Sequence, residues 1–173
     1  MVTSYNVFFV LRLDQRKKIT ALRSAVCKQV HSTQALQYPV HMSLISGGFQ
    51  TNNLAAFEKT LRDLCRQQKP MNLRAHKHTS VLPNRFWTGI MITRSAQIKR
   101  LQEKLQKLRN DFAQEKQTHQ FHPLHITLAY PARVDDLKEI TCPVDSLIFD
   151  RVCVARKKGP GKPYRIWKYV SFG

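Results

Sequence analysis

An α+β domain of two similar lobes with a cleft between them is the fold this chain predicts, and three observations carry it. The order strand, helix, short motif strand, helix occurs twice along the chain. The motif strands read Pro39-Val40-His41-Met42-Ser43-Leu44 and Pro123-Leu124-His125-Ile126-Thr127-Leu128, with proline, histidine, a hydroxyl and leucine recurring in register. No linker or low-complexity segment separates the halves, so residues 1–173 read as one domain, long enough for a substantial core.

The elements follow in order. Tyr5 to Leu13 alternates and is rich in Val and Phe, which predicts a strand. Asp14 is placed to cap the next helix, where Ile19, Leu22, Val26 and Val30 fall at helical spacing. The Tyr38-Pro39 step introduces the first motif strand, and Gly47-Gly48 ends it. Leu54, Phe57, Leu61 and Leu64 mark a second helix. Asn72 to Leu82 predicts a strand, Pro83-Asn84 a turn, and Phe86 to Thr93 another strand. Ser95 opens a long amphipathic helix whose apolar stripe is Ile98, Leu101, Leu105, Leu108 and Phe112. After the second motif strand, Val134 to Ile140 predicts a short helix. Val144 to Ala155 and Tyr164 to Phe172 read as a strand pair joined by Gly159-Pro160-Gly161.

Lys and Arg total 29 against 11 acidic residues, a net charge of +18. Such a charge attracts polyanions, RNA first among them, but names no reaction. The cluster Arg156-Lys157-Lys158 reads as a loop between strand-like segments rather than a nuclear address. Cys27, Cys65, Cys142 and Cys153 are scattered without a C-x-x-C, as expected of buried free thiols in a reducing compartment. No apolar run reaches membrane-spanning length, and the N-terminus lacks the pattern of a signal peptide. The expectation is a cytoplasmic monomer without membrane contact.

Strand period decides what the motifs can do. Side chains alternate between faces, so His41 and Ser43 share one face while Val40, Met42 and Leu44 share the other. His125 and Thr127 stand likewise against Leu124, Ile126 and Leu128. Each strand buries an apolar face and presents an imidazole beside a hydroxyl. An imidazole moves protons near neutral pH, and a hydroxyl donates to a phosphate oxygen. Two such strands facing one site would supply a general base, a general acid and phosphate donors.

The pair HMSL and HITL resembles the two signatures of the two-histidine (2H) phosphoesterase superfamily, and looks most like its LigT-like branch of RNA 2′,3′-cyclic phosphodiesterases, also called 2′-5′ RNA ligases. FHPLHITLAY resembles that branch's second motif, with one residue more between proline and histidine than is usual. Residues 85–90 resemble the strand opening the second half, and Tyr164-Arg165-Ile166-Trp167 the closing strand. Ser46 stands where the family often has an aromatic, and Tyr130 where it often has a basic residue. The resemblance implies two pseudo-symmetric lobes of antiparallel sheet with helices outside. It also implies a phosphodiesterase that opens cyclic phosphate ends, commonly to a 2′-phosphate, with His41 and His125 catalytic and no metal or other cofactor. Ser43 and Thr127 would bind the phosphate. Which histidine is base and which acid stays open.

Weaker candidates surround this pair. Tyr130, near the end of its strand, is placed to stack on a base. Arg85 opens a strand and is placed to meet phosphate. Of Tyr164 and Arg165 only one can face the cleft, and Tyr164 is preferred. His76 and His78 share a strand face but lack a third metal ligand, and His119 and His122 precede the second motif. Besides exonucleolytic trimming of RNA 3′ ends, two other functions fit the same residues. One is cleavage of 2′-5′ oligoadenylates or cyclic dinucleotides, an activity that viral members use to blunt host defence. The other is an RNA-binding module with vestigial motifs.

Overall fold

The computed structural model describes residues 3–45, 47–81, 87–117, 123–130 and 140–173, with the side chains of 78–81 left out. The chain runs β1 (Thr3–Val10), α1 (Leu13–Gln29), a short 3-10 turn (Gln34–Gln37), β2 (His41–Ser43), α2 (Leu54–Arg66), β3 (Met71–Val81), β4 (Thr88–Ile92), α3 (Ala96–Phe112), β5 (His125–Ala129), β6 (Ser146–Phe149), β7 (Arg151–Lys158) and β8 (Arg165–Ser171). The strands form one eight-stranded sheet in the order β6-β3-β4-β5-β2-β1-β7-β8, and its pairings are antiparallel. The two motif strands, β2 and β5, lie side by side at its centre. This is the α+β architecture expected, a curved sheet flanked by helices.

The halves of the sheet are not the halves of the chain. β3 follows α2 but pairs with β4 and β6, while β7 returns from the far end of the sequence to pair with β1. The segment Val144 to Ala155, expected as one strand, is therefore two. β6 borders β3 at one edge, and after the single residue Asp150, β7 joins β1 near the other. The edges approach each other there, and Phe9 of β1 stacks on Phe149 of β6 with centroids 4.6 Å apart. Gln15 of α1 covers the outer edge of β6, donating to the Ser146 carbonyl and accepting from the Ile148 amide. That removes an exposed strand edge.

Alternation builds the core. Phe9, Met42, Ile126 and Val154 point to the helix-covered face and are fully buried with Ile19, Phe57, Leu61, Ile98 and Leu105. The cleft face holds a smaller buried group of Phe8, Val10, Cys153 and Ala155. All four cysteines are free and buried. Ser95 caps α3 by accepting from the Ile98 amide, and Asn53 caps α2 through the Ala56 amide.

Asp14 does not cap α1. The Arg16 amide donates to the Arg12 carbonyl and closes the first turn earlier, so the helix starts at Leu13. Asp14 lies in that first turn, where its charge favours the positive helix end. Arg156-Lys157-Lys158 is no loop but the end of β7. Two of its three cations lie on aromatic rings, with Arg156 over Trp167 at 5.3 Å and Lys157 over Tyr164 at 5.1 Å. Arg85, His119, His122 and nearly all of the Val134 to Ile140 helix lie outside the described residues.

Candidate active site

β2 meets β5 in the register Met42 opposite Ile126. Counting outward along this antiparallel pair sets His41 opposite Thr127 and Ser43 opposite His125. Each imidazole thus faces the other motif's hydroxyl, and the two histidines stand on the diagonal. Diagonal neighbours are roughly 7–8 Å apart, room for a group held between two rings.

The repeated prolines have a role that the sequence alone left unstated. His41 Nδ1–H donates to the Pro39 carbonyl at 2.7 Å, and His125 Nδ1–H donates to the Pro123 carbonyl at 2.7 Å. A carbonyl only accepts, so Nδ1 carries the hydrogen in each neutral ring and Nε2 is the basic nitrogen. Aromatic rings fix both imidazoles: Phe8 stacks on His41 and Trp87 tilts against His125, each at 4.0 Å between centroids. Gly89 on β4 faces Thr127, and a Cβ there would come within 2.6 Å of the Ile126 carbonyl, so only glycine permits this approach of β4 to β5.

Burial is the main cause that pulls the pKa of His41 down to about 4, with Arg23 and His125 adding repulsion and the Pro39 carbonyl opposing them. At neutral pH the His41 ring is an uncharged base.

Arg23 is the site residue that sequence reasoning missed. It sits on the apolar stripe of α1 between Ile19 and Val26, 3% exposed. One guanidinium donates to the Tyr38 carbonyl at 2.8 Å, the Ala35 carbonyl at 3.3 Å and the Thr127 carbonyl at 3.0 Å. It ties the entry to the first motif to the hydroxyl residue of the second. Cys27 donates to the Leu128 carbonyl and Ser32 to the Tyr130 carbonyl, so α1 and its exit hold β5 and its end at three points. A charged residue within an apolar helical stripe was the available signal.

A cavity of about 300 Å³ opens here, lined by His41, Ser43, Thr127, Tyr130, Tyr164 and Arg23 among others. His125 stands beside this cavity, next to Ser43 and against Trp87. Tyr130 is 43% exposed at the rim. Tyr164 is half-buried, its hydroxyl 3.0 Å from that of Ser4 and its ring edge-on to Phe8. Burial holds its phenol above the ordinary range, against the Ser4 hydrogen bond. Arg165 is exposed and away from this wall. His76 is 3.4 Å from the Thr93 hydroxyl. Among the described residues no group of three His, Cys, Asp or Glu is placed to hold a metal.

The sequence model of the 2′-5′ RNA ligase superfamily matches residues 9–142. No curated protein matches the chain. Among solved structures it is similar to Escherichia coli LigT complexed with 3′-AMP, at 16% identity over 99% of both chains with a TM-score of 0.67. It is also similar to a phosphoesterase, at 15% identity over 99% of both chains with a TM-score of 0.71. A Thermus thermophilus protein aligns at 12% identity over 98% of this chain and 97% of its own, with a TM-score of 0.69. At such identities these likenesses establish the fold. With its paired motifs on adjacent central strands and a family match over most of its length, the chain belongs to the 2′-5′ RNA ligase superfamily, in the LigT-like branch of the two-histidine phosphoesterases.

Proposed function

We propose that this protein opens 2′,3′-cyclic phosphate ends on RNA by acid–base catalysis, without a metal. The observation that carries this reading is the diagonal pair of histidines, each oriented by a proline carbonyl and each facing a hydroxyl. In this reaction water attacks phosphorus, one base accepts its proton, and one acid protonates the departing ribose oxygen. His41, neutral at pH 7, serves as the base and His125 as the acid. With the 3′ oxygen leaving, the product is a 2′-phosphate. Ser43 and Thr127 donate to the phosphoryl oxygens as charge develops on them. Tyr130 and Tyr164 offer rings to the terminal base. The cavity volume suits a single nucleotide at the reacting end, and the E. coli LigT structure with 3′-AMP supplies a relative of the same fold in complex with one.

The test is turnover of 2′,3′-cyclic AMP, with the product identified as the 2′- or 3′-phosphate. It is run beside 2′-5′ oligoadenylate and a cyclic dinucleotide. Faster turnover of either of the latter moves the substrate away from RNA ends. Binding without turnover of any of them leaves an RNA-binding module.

A further inference from the structure

A second groove opens at the end of the cleft face, on the far side of β1 from His41, between β7, β8 and the start of α1. Register defines its position. Phe8 faces Ser43 on one side and Cys153 on the other, and Cys153 faces Tyr169, so these four residues form one row across the sheet. In the next row Val10 faces His41, and Arg151 follows on β7. Strands lie about 4.7–4.9 Å apart, which puts Arg151 two strands, roughly 10 Å, from His41. Val10, Arg151 and Tyr169 line a cavity of about 660 Å³ together with residues from the start of α1.

The chemistry of this groove matches a nucleic acid. Four large hydrophobic side chains are exposed among the described residues, and two of them, Tyr169 at 47% and Leu13 at 58%, line it. Arg12, Arg16, Lys17 and Arg151 stand around them against Asp14 and Asp150. Asp150 is held by Arg151 at 2.7 Å, and Arg16 and Lys17 make no ion pair among the described residues. An open aromatic ring among cations is how single strands are held without sequence preference, the base stacking and the phosphate paired. An acidic peptide would use the cations but leave the ring idle.

We propose that this groove is a second nucleotide subsite for the RNA strand, taking the nucleotides on the 5′ side of the reacting end. Tyr169 is the stacking platform, and Arg16 and Lys17, cations without an ion pair among the described residues, are the phosphate contacts. A cyclic phosphate closes the 3′ end, so the rest of the strand leaves the catalytic cavity from its 5′ side, across β1. The inference rests on the proposed activity for the direction of the strand.

The experiment compares kcat/KM for 2′,3′-cyclic AMP and for an oligoadenylate tetranucleotide ending in a 2′,3′-cyclic phosphate. Wild type should prefer the tetranucleotide. Tyr169→Ala should lower turnover of the tetranucleotide about 5- to 150-fold, the worth of one stacked base, and leave the mononucleotide unchanged. Tyr169→Phe should retain the preference. Arg16→Gln with Lys17→Gln should flatten the salt dependence of tetranucleotide binding, by about 0.7 in log–log slope for each phosphate that is no longer neutralised. Equal losses on both substrates in Tyr169→Ala, or no loss on either, overturns the subsite. If wild type turns over neither substrate, the activity is misassigned and direct binding decides the subsite. Weaker binding of a 3′-phosphorylated tetranucleotide by Tyr169→Ala then upholds it, and unchanged binding overturns it.

Discussion

Arg23 and Thr127, 104 positions apart in sequence, are joined by a guanidinium-to-carbonyl hydrogen bond of 3.0 Å, and the same guanidinium holds the carbonyl of Tyr38. One buried side chain therefore braces the entry to the first motif against the second motif strand, in addition to the direct pairing of β2 with β5. Arg23→Met keeps the length and removes the donors and the charge. Each buried carbonyl left unpaired costs about 1–3 kcal/mol, so the midpoint of denaturant unfolding should fall. The cation also lowers the pKa of His41, so an NMR titration of that ring should move upward in the variant. A lower midpoint with an unmoved His41 titration would reduce Arg23 to a structural brace.

Both histidines should be required. Loss of one general acid or base commonly costs about 10²–10⁴-fold. His41→Ala and His125→Ala should each lose that much turnover of 2′,3′-cyclic AMP while keeping the wild-type circular dichroism. Near-normal turnover in either variant sinks the two-histidine mechanism.

His41 should also make stability depend on pH in a defined direction. Its folded pKa of about 4 lies below the ordinary imidazole value of 6.5. Between those values the unfolded chain binds the proton and the folded chain does not, so stability falls as pH drops from about 6.5 to about 4. One pKa unit of difference corresponds to roughly 1.4 kcal/mol. His41→Gln should flatten this part of the stability profile; an unchanged slope would place the titration elsewhere.

Gly89→Ala should force β4 and β5 apart. The new methyl would meet the Ile126 carbonyl at 2.6 Å, a backbone atom that cannot swing aside. Overpacking of this kind costs about 1–3 kcal/mol, and here it also displaces Thr127. Thermal melting and turnover should both decline. A stable, fully active variant would mean that the register can slip without harm.

Exhaustive chelation should leave turnover unchanged, because the proposed chemistry uses only imidazoles and hydroxyls. Loss on chelation with recovery on adding Mg²⁺, Mn²⁺ or Zn²⁺ would replace that mechanism.

What could be read from the sequence was local. The motif strands are short strings whose period-2 alternation assigns His41, Ser43, His125 and Thr127 to one face without any knowledge of their neighbours. Ser95 is a local signal too, and its cap is present. The errors arose where a distant partner decides. Leu147 to Phe149 and Val152 to Ala155 both favour extended chain, so nothing local divides them at Asp150; their partners β3 and β1 do. The charge of Arg156-Lys157-Lys158 reads as loop, yet Tyr5 and Ser4 pair with it and Trp167 and Tyr164 receive its cations. Arg23 is a charge within an apolar stripe, but its partners lie on other elements and no spacing announces them.

The pairing of β1 with β7 has a consequence for how the chain folds as it is made. β1 leaves the ribosome long before its partner along seven residue pairs, Thr3 with Lys158 to Phe9 with Val152. Until then its apolar strand Val7-Phe8-Phe9-Val10 has one edge open, a template for wrong pairing. Pairing between such distant positions also makes folding slow, since a long loop must close before it forms. Nascent chains stalled before β7 should therefore be captured by a chaperone that recognises extended apolar segments, and extension through β7 should free them.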